Sequence, residues 1–590
     1  MADPYAMQSF PKLVELASSL APRERAVSIL NYWHRFPDGP MPEDQARTEL
    51  TDYLGLTEGL MAEIIASRSI PFWLLAIRLT PTQQRETRVP MTEGVSLLRL
   101  DAAIQKFSAL AECKDVGWSD EVSLAAMFMG LFQESATQDT IDDLRRRRRL
   151  VLASFGPQEL LDVHVLRVLA RELQSANAMR RMLNWGERFG VQDGRPMVTA
   201  SKPFRRAASV YHARLGRFEA TSTGTVIPPS ATPALGAFFP SYTPTSLEEA
   251  GNYMAFAAER LVGERLEFTP PNFTWSPIAL NQLYHSHRAF EEPFAARNKC
   301  SLLAALFVMC SLSHATVSSW RRDPDQFADD WSNAVTTFDN DRALIRFVLE
   351  ASAGVPATML DAPRPSQREL LAAIEFMTLK ESTRADIDVA VGAGAFPIVS
   401  SGALRLVDHA QMIRFINRLF LDVRPFNQNF KGDALEELTR ANHPLALPST
   451  ALSGNDGSKK QIDAAYIRSS VLVVAECKAV GLHVSFHRGS PDRELHRLNE
   501  VRGAIQEADQ KARWLSTRPK GRNYEIPDSV QWICPVGITP FVEFVPPQED
   551  FYWLHSLRVP RVMRPSELAE SLQRDDVFVP SCLNLVPLVR

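Results

Sequence analysis

The stretch Gln461-Ile462-Asp463-Ala464-Ala465-Tyr466-Ile467-Arg468-Ser469-Ser470-Val471-Leu472-Val473-Val474-Ala475-Glu476-Cys477-Lys478 decides how the C-terminal part of this 590-residue chain is read. Its two halves are β-branched and apolar on both faces, as in strands at the centre of a sheet. Arg468-Ser469-Ser470 separates them as a turn. Asp463, Glu476 and Lys478 are charged groups set in these runs, and burying them without a partner or a metal is costly. With the turn centred between Ser469 and Ser470, Asp463 lies directly opposite Glu476, their Cβ atoms ~4.5–5.5 Å apart. Lys478 falls on the same face as Glu476, because side chains alternate along a strand. Two carboxylates and an ammonium then converge, and a few hard oxygen donors suit Mg²⁺ or Mn²⁺. The competing expectation is a buried ion pair between Lys478 and one carboxylate, which leaves the other carboxylate without a partner.

Outward from this hairpin, the order from about Arg424 is a helix, two strands, a long helix and further strands. That order marks a separate α/β domain over 424–590 with a central mixed sheet. The long helix carries Leu495, Leu498, Val501, Ile505, Ala508 and Ala512 at three- and four-residue steps, the stripe of a helix packed on one side. Cys477 points to the strand face opposite the charges and is expected in the core.

An acidic residue on one strand followed by Glu-x-Lys on the next resembles the active site of the PD-(D/E)xK nuclease superfamily, the restriction-endonuclease-like fold. Upstream, Lys431-Gly432-Asp433-Ala434-Leu435-Glu436 is similar to that family's helix-opening Lys-Gly-x-x-aromatic-Glu, with Leu435 where an aromatic is usual. Downstream, Gln510-Lys511-Ala512-Arg513-Trp514 resembles its Gln-x-x-x-Tyr motif, with Trp514 for Tyr and Gln506 one turn earlier. The resemblance covers about 424–560. It implies a metal held by Asp463, Glu476 and the main-chain carbonyl of Cys477, and a third carboxylate at Glu436, with Glu437 the alternative. It also implies a role for Gln510, and Lys478 orienting or deprotonating the attacking water.

Across the chain, 65 basic and 69 acidic residues give a net charge of -4, and 45% of residues are hydrophobic. This excludes a polycationic protein but not a local basic groove. Between Arg424 and Glu525 the balance is sixteen basic against twelve acidic residues. Lys459, Lys460, Arg488, Arg497, Arg502, Arg513, Arg518, Lys520 and Arg522 are candidates to track a phosphate backbone, although a solvated surface explains each singly. Gly454-Asn455-Asp456-Gly457-Ser458-Lys459-Lys460 lacks the order of a phosphate-binding P-loop.

The rest of the chain reads as an α-helical domain over 1–195, a Pro/Ser/Thr-rich linker or long loop over 196–248, and a second α-helical domain over 249–423. Thr51 to Ser69 has the outline of a helix-turn-helix with Gly55 in the turn, an outline common to any helical domain. The arginines Arg145 to Arg149 form either a phosphate patch or, preferably, a solvated face. The apolar run Leu302–Leu312 is about half the ~20 residues a membrane span needs and reads as a core helix. Six scattered cysteines, and no basic region followed by an apolar core at the start, point to a reducing, cytoplasmic setting without a membrane. His285-x-His287 lacks further ligands at zinc spacing, and His483 and His487 edge the candidate site at most.

The resemblance implies a Mg²⁺- or Mn²⁺-dependent nuclease acting on nucleic acid, with DNA favoured over RNA. A helical region for sensing, or for binding the protein partners of a defence complex, fused to such a domain looks like a bacterial anti-phage or restriction-type effector. The alternative is a nucleic-acid-binding or scaffold subunit whose nuclease-like domain is catalytically silent.

Overall fold

In the computed structural model the chain forms two compact units: Met1–Arg180, Phe189–Met197 and Thr223–Phe420 make the first; Arg181–Arg188, Val198–Ser222 and Leu421–Arg590 make the second. The structure describes residues 21–79, 90–109, 116–119, 149–152, 157–222, 237–242, 273–278, 284, 291–322, 334–355, 362–412 without 393 and 403, 415, 428–448 without 442, and 451–590 without 480–488.

The first unit is largely helical, but small sheets interrupt it. Among its helices, Glu43–Ile65 runs unbroken through Gly55, so there is no helix-turn-helix at that glycine. The helix Leu302–Arg322 begins with the apolar run, whose hydrophobic residues are buried apart from half-buried Leu303. That run is a core helix, and no described helix is long and apolar enough to cross a membrane. Strands Val116–Ser119 and Arg149–Leu152 pair, as do Ala237–Tyr242 and Phe273–Ile278. Val335–Phe338, Leu404–Asp408 and Ile398–Ser401 form a three-stranded sheet. These short strands were not expected within a region read as mostly α-helical, since runs of four to six residues carry too little pattern to be told from helix in sequence. Their core also buries an ion cluster. The Arg78 guanidinium donates to Asp408 at 2.6 and 2.8 Å and to Asp101 at 3.0 Å, with all three side chains fully enclosed.

In the second unit the elements are helix α1 (Lys202–Ser222), helix α2 (Gln428–Ala441), strands β1 (Ala464–Arg468) and β2 (Val471–Cys477), helix α3 (Pro491–Ser516), strand β3 (Trp532–Ile538), strand β4 (Val562–Met563), helix α4 (Pro565–Gln573) and strand β5 (Val586–Pro587). The sheet is mixed: β1 pairs antiparallel with β2, β2 parallel with β3, and β3 parallel with β4 and antiparallel with β5. The parallel step from β2 to β3 needs a crossover, and α3 provides it.

Alternation along β2 sorts its side chains between two layers. Val471, Val473 and Ala475 pack with Leu435 of α2 and with Leu568 and Leu572 of α4. Leu472 and Val474 pack with Ala512 and Leu515 of α3. The sheet is therefore buried on both faces, which accounts for its uninterrupted apolar composition.

Two expectations are corrected in this unit. Part of the stretch read as a linker over 196–248 is α1, which buries Phe204, Ala207, Tyr211 and Arg214 at steps of three, four and three. Arg214 donates to Glu567 at 2.8 and 3.0 Å and to the carbonyls of Glu543 and Val562, and Trp185 stacks on Phe544 with centroids 4.0 Å apart. The proline- and threonine-rich composition that suggested a linker begins only after this helix. On α3, Leu495 is 60% exposed, while Glu494 and Arg497 are buried in its place. The bidentate pair of Arg497 with buried Glu543 accounts for the arginine, since charge can be enclosed where it is partnered.

Candidate active site

The β1–β2 hairpin has the register expected from the sequence, from Ala464 opposite Ala475 to Arg468 opposite Val471, and Ser469 in the turn takes a positive φ of 52°. Asp463 stands one residue before β1, and the same register sets it against Glu476, the penultimate residue of β2. Both carboxylates are enclosed, with side chains 7% and 8% exposed. Asp463 accepts a hydrogen bond from the Cys477 amide at 2.8 Å, which ties it to the end of β2.

The ammonium that joins them is Lys511 of α3, not Lys478. Lys511 Nζ donates to Asp463 Oδ1 at 3.2 Å and to Glu476 Oε2. Lys478 lies just beyond the end of β2, 36% exposed, and pairs with Glu507 of α3 at 3.6 Å. Its amide donates to the carbonyl of Ile538 at 2.8 Å, so the chain keeps the line of the sheet while the side chain reaches α3. An ion pair of Lys478 with one carboxylate would have left the other alone; Lys511 partners both. Glu507 and Lys511 stand one helical turn apart, flanking Ala508 and Ala512, which are fully buried against the sheet. That charged pair beside a small-residue stripe was the signal available in the sequence for a second cation.

Burial, and then the charge of Asp463, raises the Glu476 carboxyl above its ordinary range despite Lys511. Burial pushes the Lys511 ammonium down, but the two carboxylates outweigh it and its pKa is raised. Glu436 is half-buried on α2, where burial and the neighbouring charge of Asp463 raise its carboxyl against the pull of Arg440. Arg440 connects the two, donating to Glu436 at 2.5 Å and to the Asp463 carbonyl at 2.6 Å. Glu436 thus borders the pair, whereas Glu437 is exposed. The Cys477 thiol packs with the α2-side core, and burial, the largest cause, drives its pKa up.

The remaining candidates are dispersed. Gln510 and Gln506 are exposed on α3, so Lys511, the residue after Gln510, is the one brought to the carboxylates. Arg497 is buried with Glu543 and cannot line a groove. Arg502 is held by Glu549 at 3.0 Å and by the Tyr552 hydroxyl, and Arg518 by Asp456 at 2.7 Å. Lys520 pairs with Glu525. Lys459, Arg513 and Arg522 are exposed, and Lys460 is half-buried in a two-residue strand paired with Leu452–Ser453. The loop from Gly454 to Lys460 closes on Asp456, which accepts from the Ser458 amide and hydroxyl, a tight turn and not a phosphate cradle. Arg488, His285, His287, His483, His487 and Arg145 to Arg148 lie outside the described residues; Arg149 begins a strand.

Among the described residues, no group of three or more His, Cys, Asp or Glu side chains is arranged to hold a metal ion. Two buried carboxylates are nevertheless a donor set that fits Mg²⁺ or Mn²⁺, since a small hard cation keeps several waters and takes only one or two protein carboxylates. No family model matches this chain, and neither a curated protein nor a solved structure matches it significantly.

Proposed function

We propose that the second unit is a metal-dependent phosphodiesterase of PD-(D/E)xK type that cleaves nucleic acid, DNA in preference to RNA. The observation that carries this reading is the opposition of Asp463 and Glu476 at one end of a buried sheet, with a raised Glu476 carboxyl and lysines on the adjoining helix side. Asp463, Glu476 and the Cys477 carbonyl would hold the cation, with Glu436 beside them. When bound, the ion supplies Lewis acidity toward the phosphate and lowers the pKa of a water. Asp463 is held in orientation by the Cys477 amide, so the oxygen that remains for an ion is preset. Lys478 is the more accessible of the two lysines, and its ammonium would orient the attacking water and offset charge on the phosphate oxygens. Glu507, its present partner, would act as the counter-group that keeps the Lys478 chain extended toward the site.

The helical first unit would serve sensing or assembly with protein partners, as in restriction-type or anti-phage effectors, and on that plan the protein works in the cytoplasm. A second reading is favoured by one observation: Lys511 satisfies both carboxylates, as a silent, nucleic-acid-binding or scaffold domain would require. Calorimetric titration with Mn²⁺ separates the two. The nuclease reading expects one site that disappears in Asp463→Asn and Glu476→Gln. Heat that is absent, or the same in wild type and both variants, favours the silent scaffold.

A further inference from the structure

The cation position between Asp463 and Glu476 is taken by a side chain from a different element. Lys511 is 12% exposed, rises from the C-terminal part of α3, and reaches one oxygen of each carboxylate. It is not a bystander at the rim. The backbone below it is fixed, because Ala508 and Ala512 on either side are fully buried against the sheet. The lysine chain is long and unbranched, however, so its head can move by rotamer changes while the helix stays in place. Lys478 does not take that position; it pairs with Glu507, which itself meets Glu476 at the edge of the site.

We infer that Lys511 is the site's built-in counter-cation, which competes with a divalent ion for Asp463 Oδ1 and Glu476 Oε2 and so sets the metal concentration at which the site loads. This rests on the metal-dependent reading above. One ammonium offsets two carboxylates only in part, and a doubly charged ion in the same place offsets them fully, which gives the exchange its direction. Once displaced, the ammonium remains tethered by α3 within one side chain's length of the site. Lys511 is therefore a positioning residue whose first effect is on metal affinity.

Two measurements on the full chain test this. In the first, Mn²⁺ is titrated calorimetrically into wild type, Lys511→Met and, as a control at a distant surface pair, Lys520→Met. The inference expects Lys511→Met to bind about tenfold tighter or more, and Lys520→Met to match wild type. Binding by Lys511→Met that is unchanged or weaker, with wild type still binding through Asp463, overturns this inference and leaves the nuclease reading standing. No Asp463-dependent binding in either protein overturns both. The second measurement needs no substitution and so survives a variant that fails to fold. Wild type is labelled with an amine-reactive acylating reagent with and without Mn²⁺, and modification at Lys511 is read by mass spectrometry. Labelling at Lys511 that rises with Mn²⁺ supports displacement, and labelling that is unchanged or falls overturns it.

Discussion

An ammonium enclosed between two carboxylates states the residue-scale problem of this site: two like charges are tolerable at one place with a cation between them or a proton on one of them. The cost is visible at Glu476, whose carboxyl burial and Asp463 hold above its ordinary range. A proton therefore competes with a divalent ion there. Mn²⁺ affinity is expected to climb with pH from the ordinary carboxylate range up to the raised value of Glu476, and to level off above it. Isotherms between about pH 6 and pH 9 check this, and affinity that stays flat or declines with pH would show that Glu476 is not a ligand. The opposition of Asp463 and Glu476 was legible in the sequence because register follows from the turn and alternation from the strand. For Lys511 the only signal was its place beside the Ala508–Ala512 stripe, because a lysine on a helix reads as solvent-facing until tertiary packing brings carboxylates over it. Gln510 entered through the resemblance to a Gln-x-x-x-Tyr motif, and it is exposed one residue away from the side chain that reaches the carboxylates.

At the scale of elements, α3 carries the site, and its approach to the sheet depends on Ala504, Ala508 and Ala512, all fully buried. Ala508→Leu should overpack this contact, destabilise the protein by about 1–3 kcal/mol and draw Lys511 away from the carboxylates. Chemical denaturation reads the first effect; a midpoint equal to wild type would mean that α3 stands off the sheet. Helix α1 is pinned by Arg214 to Glu567. Burial raises the Glu567 carboxyl, but the charge and hydrogen bonds of Arg214 outweigh it and the pKa is lowered. A lowered carboxylate contributes stability above its unfolded pKa and loses it as pH falls through the folded value. Glu567→Gln should thus cost about 1.5–3 kcal/mol near neutral pH and progressively less below the ordinary carboxylate range. Denaturation midpoints of the variant and wild type that differ equally at acid and neutral pH would count against the Arg214 pair. Helix α1 was not legible because its apolar stripe is thin, Phe204, Ala207, half-buried Val210 and Tyr211 before a buried arginine, and the segment adjoins a proline- and threonine-rich run.

For the whole molecule, the order of helix, hairpin, long helix and strands was recoverable from 424 onward, since the hairpin is a pair of continuous β-branched apolar runs about a turn and the long helix has a three- and four-residue stripe. The short strands of the first unit were not, because sheets this small take their stability from long-range pairing and not from local pattern. The same unit encloses Arg78 between Asp101 and Asp408, an arrangement no local pattern announces. Asp408→Ala removes the bidentate partner of a fully enclosed guanidinium and should lower stability by about 3 kcal/mol; a thermal midpoint within error of wild type would show that the cluster is not under that constraint. The near-neutral charge of the chain is an average over unlike parts, and the mildly basic stretch from Arg424 to Glu525 surrounds the acidic pair. Whether that pair cleaves is settled most directly by incubating plasmid, linear duplex, single-stranded DNA and RNA with the full-length protein, with Mg²⁺ or with EDTA, beside Asp463→Asn and Glu476→Gln. The account predicts Mg²⁺-dependent cleavage by wild type, on DNA first, lowered about a hundredfold or more in both variants. Cleavage by the variants at the wild-type rate, or none by wild type on any substrate, contradicts it.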